Sequence, residues 1–128
     1  MAIINEQIST TQNPTLTVPT GKSYAITNIL ICNTYNPNLG DASTRTASFD
    51  LHFLNGASQE LDTNVTCVIR ELSLPAGETF TFDTERIVLE EGDRIVIIGE
   101  PGQYDDPETS GTDTNLTDLS VTISYLEV

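Results

Sequence analysis

Short apolar or alternating runs, separated by clusters of Gly, Pro, Asn and Asp, dominate this sequence. Side chains of a β-strand point alternately to its two faces, so such runs are typical of strands. No long window repeats apolar residues at the i, i+3, i+4 and i+7 spacing of an amphipathic helix. Threonine is the most frequent residue, and β-branched side chains favour strands. The pattern predicts an all-β chain folded as a two-sheet antiparallel sandwich.

We predict about eight or nine strands, with boundaries set by the turn residues. Their spans are residues 3–9, 15–18, 24–32, 46–54, 65–74, 78–82, 86–89, 94–99 and 119–128. In the fourth span Phe49 and Leu51 face one way, whereas Asp50 and His52 face the polar side, where His52 is expected to be exposed or at a rim. The span 94–99 is apolar on both faces, which predicts a central or an interface strand.

The length of 128 residues indicates one domain with one core. Residues 14–128 form the predicted β-sandwich domain, and residues 1–13 form an N-terminal arm or edge strand. This first segment is apolar at Ile3, Ile4 and Ile8, which are the candidate interaction residues, and polar around them. Two interpretations stay open: an ordinary edge strand of its own sandwich, or an arm that adds to a neighbour's sheet edge.

The charge balance limits the classes of partner. Asp and Glu number 19 against 5 Lys and Arg, for a net charge of -14. Binding of nucleic acid needs a basic face for the phosphates, and an anionic membrane repels an acidic protein. We therefore expect neither nucleic acid nor membrane as a partner. No apolar run reaches the roughly 18 residues of a membrane span. The start shows no secretory signal, so we expect the chain to fold in a cytosol.

Residues that could carry catalysis are few. His52 is the one histidine, and the sequence has no Gly-x-Ser-x-Gly elbow, no Cys-x-x-Cys pair and no Walker-type phosphate loop. We predict a protein that is not an enzyme and holds no cofactor. Cys32 and Cys67 lie in apolar runs and are expected to be buried thiols, while a disulfide between them stays open.

The long loops hold the remaining candidate residues. Tyr35 and Tyr104 lie in two of these loops, where contact residues are often found. They are the candidate aromatic platforms for a bound glycan, and the alternative is that each packs within its own loop. The loop around residues 100–118 is the most acidic stretch, and carboxylate oxygens are suitable ligands for calcium. The candidate calcium ligands are Asp105, Asp106, Asp113 and Asp118. Their spacing does not match an EF-hand loop, so a solvated acidic loop is the alternative interpretation.

Four segments, in this order, resemble a known family. They are YAITNILICN at 24–33, LPAGET at 74–79, LEEGDRI at 89–95 and LSVTISY at 119–125. Together they are similar to the small β-sandwich virion proteins of tailed bacteriophages, particularly those of cyanophages and their relatives. The resemblance covers most of the chain, and it implies a jelly-roll-like fold.

The resemblance also implies a function. We expect a non-enzymatic virion structural protein, made in the host cytoplasm. Its expected role is that of a capsid decoration, or cement, protein that forms a homotrimer and binds the major capsid protein or another virion protein. The alternatives are a component of the neck, tail or fibre, and a module that binds host glycans. The Leu-x-x-Gly-Asp-x-Ile pattern within residues 89–95 also resembles one in trimeric jelly rolls of the C1q and tumour-necrosis-factor type, but those families normally carry secretory or anchor segments.

Overall fold

The computed structural model describes residues 2–100, 105–106, 111–112 and 116–128. Side chains are described for these residues except 84–86, 105–106 and 111–112. This described part contains ten strands, a short 3-10 helix at Ala42–Thr44 and no α-helix. The strands are β1 (Ala2–Ser9), β2 (Leu16–Thr17), β3 (Tyr24–Asn33), β4 (Ala47–Leu54), β5 (Cys67–Leu74), β6 (Thr79–Leu89), β7 (Arg94–Gly99), β8 (Asp105–Asp106), β9 (Gly111–Thr112) and β10 (Leu116–Glu127).

Eight of these strands form two antiparallel sheets. The first sheet has the order β1-β10-β3-β6, and the second sheet has the order β2-β7-β4-β5. The strands β8 and β9 pair separately with each other. Residues of both four-stranded sheets contribute to one hydrophobic core. The prediction of an all-β, two-sheet antiparallel sandwich is therefore confirmed.

One predicted strand boundary is wrong. Residues 78–82 and 86–89 belong to a single strand, β6. The register explains the error, because Ile26 and Asn28 of β3 pair with β6 residues that are four positions apart. Such a bulge bends a strand without ending it. The strand β7 lies between β2 and β4, which confirms the central position predicted from its apolar faces.

The core consists of the inward side chains of both sheets. Those that are at most 2% exposed include Ile26, Ile29 and Ile31 of β3, Phe49 and Leu51 of β4, Ile95 and Ile97 of β7, and Leu119, Val121 and Ile123 of β10. Burial of each such side chain contributes about 1.5–3 kcal/mol before the entropy of ordering is counted. The rings of Tyr24 and Tyr125 stack at the end of the first sheet, with 4.2 Å between their centroids.

The turn between β5 and β6 packs against the long β3–β4 loop, residues 34–46. Gly77 lies in this turn with a φ of 80°, and a Cβ at this position would come within 2.7 Å of the Pro37 ring. Glycine is therefore required both for the left-handed backbone and for the close approach. The backbone N–H of Gly77 donates a hydrogen bond of 2.9 Å to the carbonyl of Asn33, which joins the turn to β3.

Candidate interaction surface

The N-terminal segment forms β1, an edge strand that pairs with β10 from Ala2 to Ser9. Ile8 is 3% exposed and belongs to the core, and Ile4 is half-buried against that core. Ile3 is 60% exposed on the outer side of the sheet. Of the three candidate isoleucines, Ile3 therefore has the most surface available to a partner.

Tyr35 packs inside the β3–β4 loop. Its ring lies beneath the guanidinium of Arg45, with 4.3 Å between Cζ and the ring centroid. Its hydroxyl donates a hydrogen bond to the carboxylate of Asp41, which raises the pKa of Tyr35. The ring is half-buried, so only part of it is available to a ligand. Tyr104, the other candidate contact residue, lies outside the described residues.

Two further residues, which the sequence pattern did not single out, fix this loop to the sandwich. Arg45 is 7% exposed, and its guanidinium forms an ion pair of 3.5 Å with the carboxylate of Asp118. The fully buried Asn33 donates hydrogen bonds to the carbonyls of Arg45 and Leu74 at 2.8 and 3.0 Å. Its side-chain oxygen accepts a hydrogen bond from the backbone N–H of Tyr35. Local periodicity carries no signal for such contacts, since the partners come from distant segments.

The candidate calcium ligands are described only in part. Asp105 and Asp106 form β8, which pairs with β9, whereas Asp113 lies outside the described residues. The carboxylate of Asp118 faces the guanidinium of Arg45. Among the residues whose side chains are described, no three His, Cys, Asp or Glu residues come together as a metal site. The calcium site stays a prediction.

His52 is buried, so the prediction of an exposed or rim histidine is wrong. It is 1% exposed, and its Nδ1 forms a hydrogen bond of 2.9 Å with the hydroxyl of Thr66. The β4–β5 connection covers this side of the second sheet, because Arg94 donates hydrogen bonds to the carbonyls of Gly56 and Gln59. Burial lowers the pKa of His52. A side chain buried to this degree is inaccessible to a substrate in this conformation.

Asp50 lies on the same side of β4 and is also buried. Its carboxylate accepts hydrogen bonds from the backbone N–H of Glu71 at 2.6 Å and from the guanidinium of Arg70 at 2.8 Å. Glu71 has a φ of 49°, and the register between β4 and β5 shifts at this point. Asp50 thus provides an acceptor for an amide at an irregular part of the ladder, which is a structural role.

Cys32 and Cys67 are both free thiols, but each is only half-buried, so the prediction that they are buried is wrong. They lie on β3 and β5, in different sheets. The thiol of Cys67 donates a hydrogen bond to the carbonyl of Ile69 at 3.2 Å, and burial raises its pKa. The disulfide that the sequence left open is therefore absent from this structure.

Four transverse rows of described side chains on the outer side of the first sheet contain few charged groups. The strand registers place its side chains in transverse rows. These rows are Gln7–Ser120–Cys32–Thr79, Asn5–Thr122–Leu30–Thr81, Ile3–Ser124–Asn28–Asp83 and Leu126–Ala25–Val88. Asp83 is the only ionisable carboxyl group in the four rows. We call this surface the uncharged face.

The uncharged face contrasts with the strong acidity of the chain. In the row that contains Asn5 and Thr122, the hydroxyl of Thr122 donates a hydrogen bond of 2.8 Å to the side-chain oxygen of Asn5. The side chains of Asn5 and Thr81 are exposed, and those of Thr122 and Leu30 are half-buried. A flat array of this kind offers small polar groups and short apolar patches to a partner without the cost of burying charge.

The described cationic side chains are already engaged. Four of the five Lys and Arg residues have described side chains. Lys22 pairs with Glu127, Arg45 with Asp118 and Arg70 with Asp50, while Arg94 binds the loop carbonyls. These four residues therefore form no basic cluster of the kind that binds phosphates.

No protein-family model matches this chain, and no curated protein or solved structure is similar enough to count as a match. The described residues include no helix that is long and apolar enough to span a membrane.

Proposed function

We propose that this chain is a non-enzymatic structural protein of a tailed-phage virion, acting as a capsid decoration, or cement, protein. The observation that carries the proposal is the uncharged face on an otherwise acidic sandwich. Interface cores are depleted of charged residues, whereas charged surface keeps a protein soluble. This division suits a protein that contacts its own copies and a particle surface on one side and water on the other.

The strand order supports a jelly-roll fold within this proposal. Successive strands of the two large sheets alternate between these sheets, except that β4 and β5 pair as neighbours in the second sheet. The last long strand, β10, returns to lie between β1 and β3. In the same way, β7 returns to lie between β2 and β4. An eight-stranded double sheet with such interleaved returns is the jelly-roll arrangement that occurs in viral capsid and lectin domains. Fold alone does not assign function, so the surface carries the argument.

The polar clusters support a structural role over a catalytic one. The one histidine is inaccessible, and its hydrogen bond ties β4 to the following loop. The buried Asp50 serves a backbone amide, and Asn33 serves backbone carbonyls. Each of these groups therefore stabilises the scaffold. A rigid scaffold is what a protein that stabilises a particle requires.

The test is addition of the purified protein to phage particles assembled without it. We expect saturable binding in a co-sedimentation assay and a higher temperature of particle disruption, because contacts that exist only in the intact particle stabilise it. Electron microscopy of the same sample distinguishes binding to the capsid from binding to neck, tail or fibres. Absence of binding at saturating protein concentration would reject the virion proposal.

A further inference from the structure

We infer that the Asn55–Gly56 peptide is a site of spontaneous deamidation, and that the fold keeps this site closed through Asp93 and Arg94. It is the one Asn-Gly pair in the sequence, and it begins the β4–β5 connection, residues 55–66. Asparagine is among the thermally labile residues, and a glycine after it has no side chain that hinders attack on the asparagine amide. The inference is independent of the proposed function.

The reaction requires a free and mobile backbone nitrogen. The nitrogen of Gly56 loses its proton and bonds to Cγ of Asn55, and the side-chain amide nitrogen leaves as ammonia. The resulting succinimide ring takes up water at either of its two carbonyls, which yields aspartate or isoaspartate. The first step therefore needs both deprotonation of the Gly56 N–H and rotation of this peptide toward the Asn55 side chain.

The hydrogen bonds around the peptide oppose both requirements in the folded chain. The backbone N–H of Gly56 donates a hydrogen bond of 2.7 Å to Oδ1 of Asp93, whose negative charge opposes loss of the proton. The N–H of Asn55 donates a hydrogen bond of 2.6 Å to Oε1 of Gln59. The carbonyl of Gly56 accepts a hydrogen bond of 3.1 Å from Nε of Arg94. Gly56 must therefore leave Asp93 before it can react.

The neighbouring backbone packs against the same peptide. A Cβ on Gly92, in the turn between β6 and β7, would lie 3.6 Å from Cα of Gly56, so the two backbones are close together. Arg94 also donates a hydrogen bond to the carbonyl of Gln59, which joins a second point of the connection to β7. Asn55 itself is exposed, so water reaches its side chain. Opening of the connection is thus the step that limits the reaction, and a loop opens more readily than the whole fold.

The isoaspartate product does not fit the closed connection. It lengthens the main chain by one methylene between Cα of residue 55 and the nitrogen of Gly56. The hydrogen bonds on the two sides of this peptide then cannot all form again. The far end of the connection covers His52 through Thr66, so we expect the burial of His52 to be lost and its pKa to rise toward the ordinary value. NMR titration of this one histidine in the purified product measures the rise, and an unchanged pKa would contradict the opening by isoaspartate.

Peptide mapping by mass spectrometry during incubation at pH 8 tests the site. We expect conversion of Asn55 in the folded protein to be at least about tenfold slower than in the same protein unfolded in urea, because only the opened fraction reacts. Asn55→Gln assigns the product, since its longer side chain closes a larger ring much more slowly. Equal rates in the folded and the unfolded protein, a faster rate in the folded protein, or no conversion in urea overturns the inference.

Arg94→Met tests the closure directly. The variant keeps the aliphatic stem but loses the hydrogen bonds to the carbonyls of Gly56 and Gln59, so conversion in the folded protein should be faster by about threefold or more. Lys22→Met makes the same change of charge and removes an exposed ion pair with Glu127, so it should react within about twofold of wild type. In urea all three proteins should react at one rate. An Arg94→Met rate equal to that of wild type in the folded protein would overturn the closure.

Low concentrations of urea separate local opening from unfolding of the whole chain. Local opening exposes little surface and responds weakly to urea, whereas global unfolding responds steeply. Conversion of Asn55 in Arg94→Met should therefore be nearly constant below the unfolding transition. A rate that rises in proportion to the unfolded fraction would overturn the local closure, because the variant would then act only through the stability of the whole fold.

Discussion

The side chain of Asn33 joins three segments that are distant in the sequence. Its amide donates to the carbonyls of Arg45 and Leu74 and accepts from the N–H of Tyr35, all without contact to water. We predict that Asn33→Ala lowers the free energy of unfolding by about 2–4 kcal/mol, because each buried group left without a partner costs about 1–3 kcal/mol. Urea denaturation followed by circular dichroism measures the change.

Asn33→Asp sharpens this first prediction. The substitution keeps the shape of the side chain but replaces the donor by a second acceptor, which faces the carbonyl oxygens. It should therefore cost at least as much as Asn33→Ala. The exposed Asn64 gives the matched control, and Asn64→Ala should change stability by less than about 0.5 kcal/mol. Equal stability of Asn33→Asp and wild type would show that the amide donors are unimportant.

His52 should make stability depend on pH near neutrality. Its pKa in the fold lies below the ordinary value, chiefly through burial, with Asp50 opposing and Arg70 adding to this effect. The unfolded chain therefore binds the proton more tightly, and the free energy of unfolding falls as the pH drops below about 6.5. Each tenfold difference in proton affinity contributes about 1.4 kcal/mol. Urea titrations at pH 5.5, 6.5 and 7.5 measure the slope.

His52→Gln is the matching variant for this second prediction. The chain has one histidine, so the variant should lose most of the slope between pH 5.5 and 7.5. Glu6→Gln serves as a control of opposite sign, because partial burial raises the pKa of Glu6 and protonation favours its folded state. If His52→Gln retains the full slope of the wild type, the pH dependence originates elsewhere.

Residue-level prediction from the sequence was reliable for the core and poor for buried polar groups. The alternation in β4 correctly directed Phe49 and Leu51 inward. The alternation also placed His52 on the opposite side of the strand, but it could not show that a later loop covers that side. The hydrogen bonds from Asn33 to two distant carbonyls could not be predicted for the same reason. Such burial depends on tertiary contacts, which a period of two residues does not encode.

Among the described glycines, Gly99 is the one at which strands of the two sheets come closest together. A Cβ on this β7 residue would lie 2.5 Å from Cγ2 of Thr117 on β10 and 3.3 Å from Cγ2 of Ile8 on β1. We predict that Gly99→Ala lowers the free energy of unfolding by about 1–3 kcal/mol through overpacking. Gly40→Ala is the control, since a Cβ there meets no atom within 4 Å. It should leave the urea midpoint unchanged or raise it slightly.

Element-level prediction succeeded where each strand has its own local signal. The turns that contain Gly21, Gly77 and Gly92 separate apolar runs, and these three glycines have positive φ values. The division of β6 failed because polar residues around a bulge resemble a turn in sequence. The pairing of β1 with β10 could not be predicted, because no local pattern records which distant strands become neighbours.

The uncharged face becomes visible only at the scale of the whole molecule. Its rows combine residues of β1, β3, β6 and β10, which span nearly the whole length of the chain. The sequence shows a polar and an apolar side for each strand, but it does not show that these rows of largely uncharged side chains assemble in one sheet. This assembly explains how a chain with a net charge of -14 retains a surface suited to protein contact.

The same imbalance of charge predicts how the whole fold responds to salt. With 19 acidic and 5 basic residues, repulsion within the folded chain should outweigh its few surface ion pairs, each worth about 0–1 kcal/mol. Raising NaCl from 0.01 to 0.1 M shortens the screening length from about 30 to about 10 Å, so the Tm should rise by about 2–6 °C.

Calorimetry of the protein at low concentration measures this effect. KCl at equal ionic strength should give the same rise, since screening depends on ionic strength and not on the cation. Calcium chloride at equal ionic strength tests the predicted site at Asp105, Asp106, Asp113 and Asp118, because an additional rise that EDTA reverses would indicate a bound ion. A Tm that falls with NaCl would mean that ion pairs such as Arg45–Asp118 outweigh the repulsion.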